Sequence, residues 1–268
     1  MLTADSADRS ATFRVAFMTT ASIFVLGYMN GYGLNTNDLG TMITPQTGNV
    51  IWLGLNAAMG YWGYFLENLA LFLGFIGGAI FALYTQSLFK NKSTQFYYNW
   101  SVFIVPVLLY PLVMQYVVFN VISFAAWGFA SGAALGFFRK FYHLEINNAM
   151  ATGSVRFLGL HFAGAFMKKN KQEVFSFWIF FICVFAFAAG AFLYGKLAIL
   201  DYNLGLAGNG MIIGLGDHAV REFRQTLGFG EYRIDIVSSN IARVVGMFVI
   251  CIIPYFFCPK ATVVAEEK

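Results

Sequence analysis

From Ser93 to Phe138 the chain carries no Asp, Glu, Lys or Arg. The same is true of residues 15–37, 39–66, 68–89, 174–195 and the shorter run 244–259. Runs of this length restrict the fold more than any other feature of the sequence. About 20 apolar residues in a helix cross a hydrocarbon core of roughly 30 Å. Lipid offers the backbone no hydrogen-bond partner, so the spanning element is a helix. Composition removes the soluble alternatives. Only 11% of residues are charged and 59% are hydrophobic, against about 25% charged in an ordinary soluble domain. That excludes a soluble enzyme, a disordered chain and a nucleic-acid binder. The net charge of +4 implies no polyanionic partner. The expected partner is the lipid bilayer.

The expected fold is an all-α polytopic membrane protein with about six transmembrane helices, near 13–33, 66–88, 97–113, 117–138, 174–197 and 238–258. Pro111 and Gln115 suggest a turn between the third and fourth. Residues 49–61 form an apolar segment too short to cross alone. Lys and Arg concentrate in cytoplasmic loops. Arg9 and Arg14 precede the first span, and Lys90 and Lys92 follow the second. Arg139, Lys140, Arg156, Lys168, Lys169 and Lys171 follow the fourth, while residues 34–48 hold no Lys or Arg. This alternation places both termini in the cytoplasm, with residues 1–12 and 259–268 as tails. The outer loop 198–237 carries mixed charge, and long loops are weak topology signals. Asp5 and Asp8, with the long apolar run behind them, argue against a cleaved signal peptide.

The chain also repeats itself. Thr47-Gly48-Asn49-Val50 with Leu53-Gly54-Leu55 recurs as Thr152-Gly153-Ser154-Val155 with Leu158-Gly159-Leu160. At the same offset Gly27 meets Gly132 and Gly31 meets Gly136, and Gly78-Ala79 matches Gly190-Ala191 after an insertion. Two units of three helices follow, 13–113 and 117–258. Three is odd, so the second unit enters the membrane upside down. Inverted repeats build many transporters, with the site near the midplane at the repeat interface.

These paired motifs resemble the YoaK family, also called DUF1275, over roughly residues 15–197. The residues that carry the resemblance are Gly27-Tyr28-Met29-Asn30-Gly31, Thr47-Gly48-Asn49-Val50, Leu135-Gly136 and Ala151-Thr152-Gly153. The resemblance implies a bacterial inner-membrane protein of about six helices and brings no activity with it. The family usually has Asp where Asn30 stands, and Gln-Asn where Phe137 and Phe138 follow Gly136. Its members also have a shorter loop than 198–237. A proton or cation role for that family Asp does not carry over to Asn30.

Candidate site residues follow from polarity inside the spans. Thr47 and Thr152 are expected to cap short half-helices. Their Gly48 and Gly153 admit close backbone approach, and Asn49 and Ser154 add hydrogen bonds. A half-helix N-terminus inside a membrane suits an anion or a carboxylate; a plain packing role suits the same residues. Asn30 is a solute contact or an interhelical hydrogen bond. Glu67 is an interfacial residue beside Trp62 and Tyr64, or a coupling carboxylate. Asp38, His143 and Glu145 precede the Thr-Gly segments, as entrance residues or solvated loops. The glycines at every fourth position, Gly128-Gly132-Gly136 above all, read as helix packing. Arg243 is expected to snorkel outward. Cys183, Cys251 and Cys258 lie in apolar runs and read as small buried hydrophobes. The stretch 204–235 suggests a surface helix or a lid.

No nucleophile–base set or metal-ligand spacing is present, so neither catalysis nor a cofactor or metal is expected. The expected function is transport of a small neutral or weakly anionic solute. A passive channel and a non-catalytic accessory or scaffold role are the alternatives, and a homo-oligomer is compatible with all three.

Overall fold

The computed structural model describes residues 2–36, 43–85, 88, 92–113, 120–141, 144–146, 151–167, 171–203 and 241–257. Among these are eight helices: α1 (Leu2–Thr36), α2 (Gln46–Met59), α3 (Trp62–Thr85), α4 (Lys92–Val113), α5 (Asn120–Phe137), α6 (Ala151–Met167), α7 (Lys171–Asn203) and α8 (Ile241–Phe257). The apolar runs form helices. Their ends differ from the sequence expectation. α1 begins at Leu2, not near 13, and α7 continues through Asn203 into the expected outer loop. Pro111 lies inside α4 and not in a turn. The remainder of the loop 198–237 and the other expected turn residue, Gln115, fall outside the described residues.

One minimal ladder interrupts the helices. Lys140 pairs with Glu145 and Phe141 with Leu144 in antiparallel register. The Ile146 N–H donates to the Arg139 carbonyl at 2.7 Å. This closes the hairpin and drives Ile146 into an apolar cluster with Ile23, Ile179, Phe180 and Cys183.

The helices turn apolar surface outward. α3 and α7 are long and apolar enough to cross a membrane, yet only 22% and 33% of their most apolar windows are buried. A soluble core helix of that hydropathy would be mostly covered. Leu73, Ile76, Ile80 and Leu83 on α3 are exposed, as are Phe181, Ile182, Phe185 and Phe192 on α7. Apolar faces of this extent need a non-aqueous neighbour. The all-helical fold with apolar helices fits a helical membrane protein.

Inside, two helix pairs make the most extensive contacts, α3 with α5 and α1 with α7. Small residues bring the backbones together. A Cβ on Gly27 would strike the Phe187 carbonyl oxygen, and one on Gly190 would strike the Phe24 carbonyl oxygen. In the other pair, Gly132 meets the Phe75 carbonyl and Gly78 the Phe129 carbonyl. Gly31 lies on Tyr194, and Gly136 on Ala82. From Gly27–Phe187 to Gly31–Tyr194, and from Leu71–Gly128 through Phe75–Gly132 to Ala82–Gly136, both numbers rise, so each pair runs parallel. The expected packing role of the glycine stripes is what the structure shows. The central core lies where α1, α4, α5 and α8 meet, around Tyr28, Trp100, Trp127 and Met247. Trp100 Nε1 donates to the Cys251 carbonyl at 3.0 Å, tying α4 to α8.

Candidate functional site

Short helix α2 has 14 residues, about 21 Å at 1.5 Å per residue, and cannot span a core of roughly 30 Å. Its start is set by an interaction with α1. Asn30 Nδ2 donates to the Leu26 carbonyl at 2.8 Å and to Thr44 Oγ1 at 2.7 Å. The Thr44 N–H returns to Asn30 Oδ1 at 3.2 Å. Asn30 thus bonds its own helix and the segment ahead of α2, and it holds Thr44 against α1 just before the helix begins. Pro45 is the N-cap, with extended backbone and no side-chain cap bond. Thr47 is therefore not the cap; it is the second residue of the helix, and it is exposed. A proline sets the backbone entry here without offering a side-chain acceptor. At the far end, Gly60 takes φ 75° and ends the helix, its N–H bonded to the Ala57 carbonyl at 3.2 Å. Such a left-handed C-terminal residue favours glycine.

The polarity of α2 is inverted. Its buried residues are Gln46, Asn49 and Asn56. Val50, Ile51, Leu55 and Met59 are exposed. Asn49 Nδ2 donates to Gln46 Oε1 at 3.4 Å and Gln46 Nε2 to the Ile43 carbonyl at 3.4 Å, both at the long limit of a hydrogen bond. Asn49 Oδ1 and both polar atoms of the Asn56 amide are buried without a protein partner. On α3, Asn68 Nδ2 donates to the Tyr64 carbonyl at 3.0 Å, while its Oδ1 stays unmatched. Buried polar atoms are nearly always satisfied. An amide face with open donors and acceptors can therefore hold a hydrogen-bonding guest.

Helix α6 carries the second Thr-Gly segment. Thr152 is again the second residue of its helix. Ser154, at the offset of Asn49, is buried; Gly153 is half-buried, as is Gly48. Each short helix packs chiefly on the long helix after it, α2 on α3 and α6 on α7. The contact of α6 with α7 is antiparallel: His161 and Gly164 lie against Glu173, and Phe157 stacks on Phe180 at 5.2 Å. The Thr-Gly segments are thus placed by their own hairpins. Glu67 is half-buried in the second turn of α3. Glu145 belongs to the short ladder, and Asp38 and His143 lie outside the described residues.

Three residues were missed as site candidates. Asn56 and His161 occupy equivalent positions at the repeat offset, and extending the motif alignment past Leu55 would have found them. Glu173 follows a basic stretch, and its Oε2 lies 2.6 Å from His161 Nδ1. Arg243 was expected to snorkel outward and does not. It is buried, with Nη1 donating to Tyr194 Oη at 3.2 Å. Tyr28 Oη donates to the Arg243 carbonyl at 2.6 Å. The Tyr194 hydroxyl at that depth holds the guanidinium inward, while Tyr28 holds the Arg243 backbone.

A cavity of about 450 Å³ lies between α3, α5 and α6, with Gly136, Arg139, Ile146 and Phe157 in its wall. Among the described residues no three His, Cys, Asp or Glu side chains are grouped as a metal set would be. Compared with known families, residues 18–214 match the model of DUF1275, described as a protein of unknown function. Comparison with curated proteins and with solved structures finds no match.

Proposed function

We propose that this chain, which belongs to the DUF1275 family, carries a small neutral or weakly anionic solute across a bacterial plasma membrane, with the amide face of α2 as part of the binding site. The observation that carries the reading is the inverted polarity of α2, which buries Gln46, Asn49 and Asn56 under an apolar exterior. Lipid accepts the outer face, and a polar guest accepts the inner one. Amides recognise neutral hydrogen-bonding groups and offer no charge to hold a metal cation.

Duplication of an inverted three-helix unit is part of the same proposal. The contact of Gly27 with Phe187 and Gly190 with Phe24 has its counterpart in Gly132 with Phe75 and Gly78 with Phe129. Each residue in the first set maps onto one in the second at the sequence offset of its helix. The parallel pairs also fit six alternating spans, in which the first and fifth share a direction and the second and fourth share the other. Both termini then lie in the cytoplasm, in keeping with the basic loops. Sites in such folds sit where broken or short helices meet the repeat interface.

The test is uptake into proteoliposomes of labelled polyols, sugars, small amides and monocarboxylates. At least one is expected to enter faster than into empty vesicles, saturably, and at least ten-fold slower with Asn49→Leu or Asn56→Leu. Flux without saturation would identify a passive channel. A folded protein that moves none of the panel would refute transport of this solute class.

A further inference from the structure

The geometry points to His161 and Glu173 as a proton-binding pair that fastens the short helix α6 to the long helix α7. Nδ1 of His161 lies 2.6 Å from Oε2 of Glu173, with the two side chains 21% and 33% exposed. Such a distance requires a hydrogen on the line between them. The exposure leaves water a route to the pair while much of it stays covered. The imidazole stacks on Phe180 at 5.3 Å and 10°, and on Phe157 at 6.3 Å, so the ring is held in one orientation. Gly164 is what lets the carboxylate come so near. A Cβ there would stand 2.9 Å from Glu173 Cγ and 2.9 Å from Oε2.

Among the described residues the charged surroundings are few. From α7, the element packed most extensively on α6, Glu173 faces the ring, and Lys171 is exposed at the helix start. On α6 itself Arg156 is exposed. Arg139 lines the cavity that Phe157 also lines. Residues 15–36 of α1 bring no Asp, Glu, Lys, Arg or His. Glu173 is therefore the carboxylate partner of the imidazole. With the imidazole neutral, the pair carries one negative charge. A proton from water adds to the ring, Nδ1–H stays on the carboxylate, and the pair becomes neutral overall with a stronger, charge-assisted bond.

The first half of the chain lacks the device. At the offset of His161 stands Asn56, an amide that cannot titrate. Proton binding at this pair thus bears on the second short helix, and Asn56 offers no matching site on the first. As a coupling device this rests on the transport reading; as a proton site it does not.

The experiment is hydrogen–deuterium exchange on the full chain in nanodiscs at pH 5.5 and pH 8, corrected for intrinsic rates. Amides of the last two turns of α6 are expected to exchange at least three-fold slower at pH 5.5. His161→Gln and Glu173→Gln should give equal rates at both pH values. Gly164→Ala, which pushes the carboxylate aside and leaves the pair's residues in place, should also flatten the response while keeping the helical content. A pH-independent wild type, or a response that survives His161→Gln or Gly164→Ala, overturns the proposal. Solute flux beside a flat pH response would sink the proton site alone; a pH response without flux would sink the transport reading alone.

Discussion

Asn30 and Thr44 bind each other twice, side chain to side chain at 2.7 Å and the Thr44 backbone N–H to Asn30 Oδ1 at 3.2 Å. One amide thereby fixes the backbone of the segment that leads into α2. Removing it leaves a buried N–H with no acceptor, which costs about 1–3 kcal/mol. Asn30→Ala is expected to lower stability by that amount in thermal unfolding of the solubilised protein. Thr44→Ala, which keeps the backbone bond, should cost less. The double variant should fall short of the sum by about 1 kcal/mol, as expected for partners in contact. Fully additive losses would mean that the two residues act separately.

The glycine contacts predict a second pattern. Gly27, Gly78, Gly132 and Gly190 face backbone atoms of another helix, whereas Gly77 faces open space. A methyl group at any of the first four forces the helices apart, at about 1–3 kcal/mol. At Gly77 it should be neutral or stabilise by up to about 1 kcal/mol through helix propensity. An alanine series read by melting temperature separates the two classes. Equal effects at Gly77 and Gly132 would contradict the packing.

Much of this packing was legible in the sequence, and the reason is physical. Close helix contact in lipid needs small residues at fixed spacing, so Gly128, Gly132 and Gly136 announce the seam in one dimension. Charge-free runs announce the helices in the same way, although not their ends, because a helix such as α7 can continue past the apolar run as far as Asn203. Asn30 was visible as a polar residue in a span, but Thr44 as its partner was not, since the bond joins two segments. The capping role of Thr47 failed because Pro45 already sets the entry. His161 and Glu173 escaped because each looks ordinary alone; only the hairpin of α6 and α7 brings them within 2.6 Å.

Asn56 allows function and stability to be separated. Both atoms of its amide are buried without a protein partner. Leucine has a similar volume and no polar atom to leave unmatched. Asn56→Leu is therefore expected to keep or raise the melting temperature, by up to about 2 kcal/mol in stability, while it abolishes solute uptake. A variant that loses stability along with uptake would show that the amide serves the fold, not a guest.

The buried guanidinium gives the last test. Arg243 reaches Tyr194 Oη at 3.2 Å and lies with Cζ 6.0 Å from the centre of the same ring. Tyr28 Oη bonds the Arg243 carbonyl at 2.6 Å, and the Tyr28 and Tyr194 rings meet edge to face at 5.5 Å. These contacts join α1, α7 and α8. Tyr194→Phe removes one acceptor from the guanidinium but keeps the ring face, so a loss of about 0.5–2 kcal/mol is expected. Tyr194→Leu removes both and should cost more. Arg243→Lys retains the charge but loses the planar fork that can bond and stack at once, so it should destabilise more than Tyr194→Phe. If Arg243→Lys is instead silent in thermal unfolding, the side chain is reaching out to the membrane surface, and its inward placement is refuted.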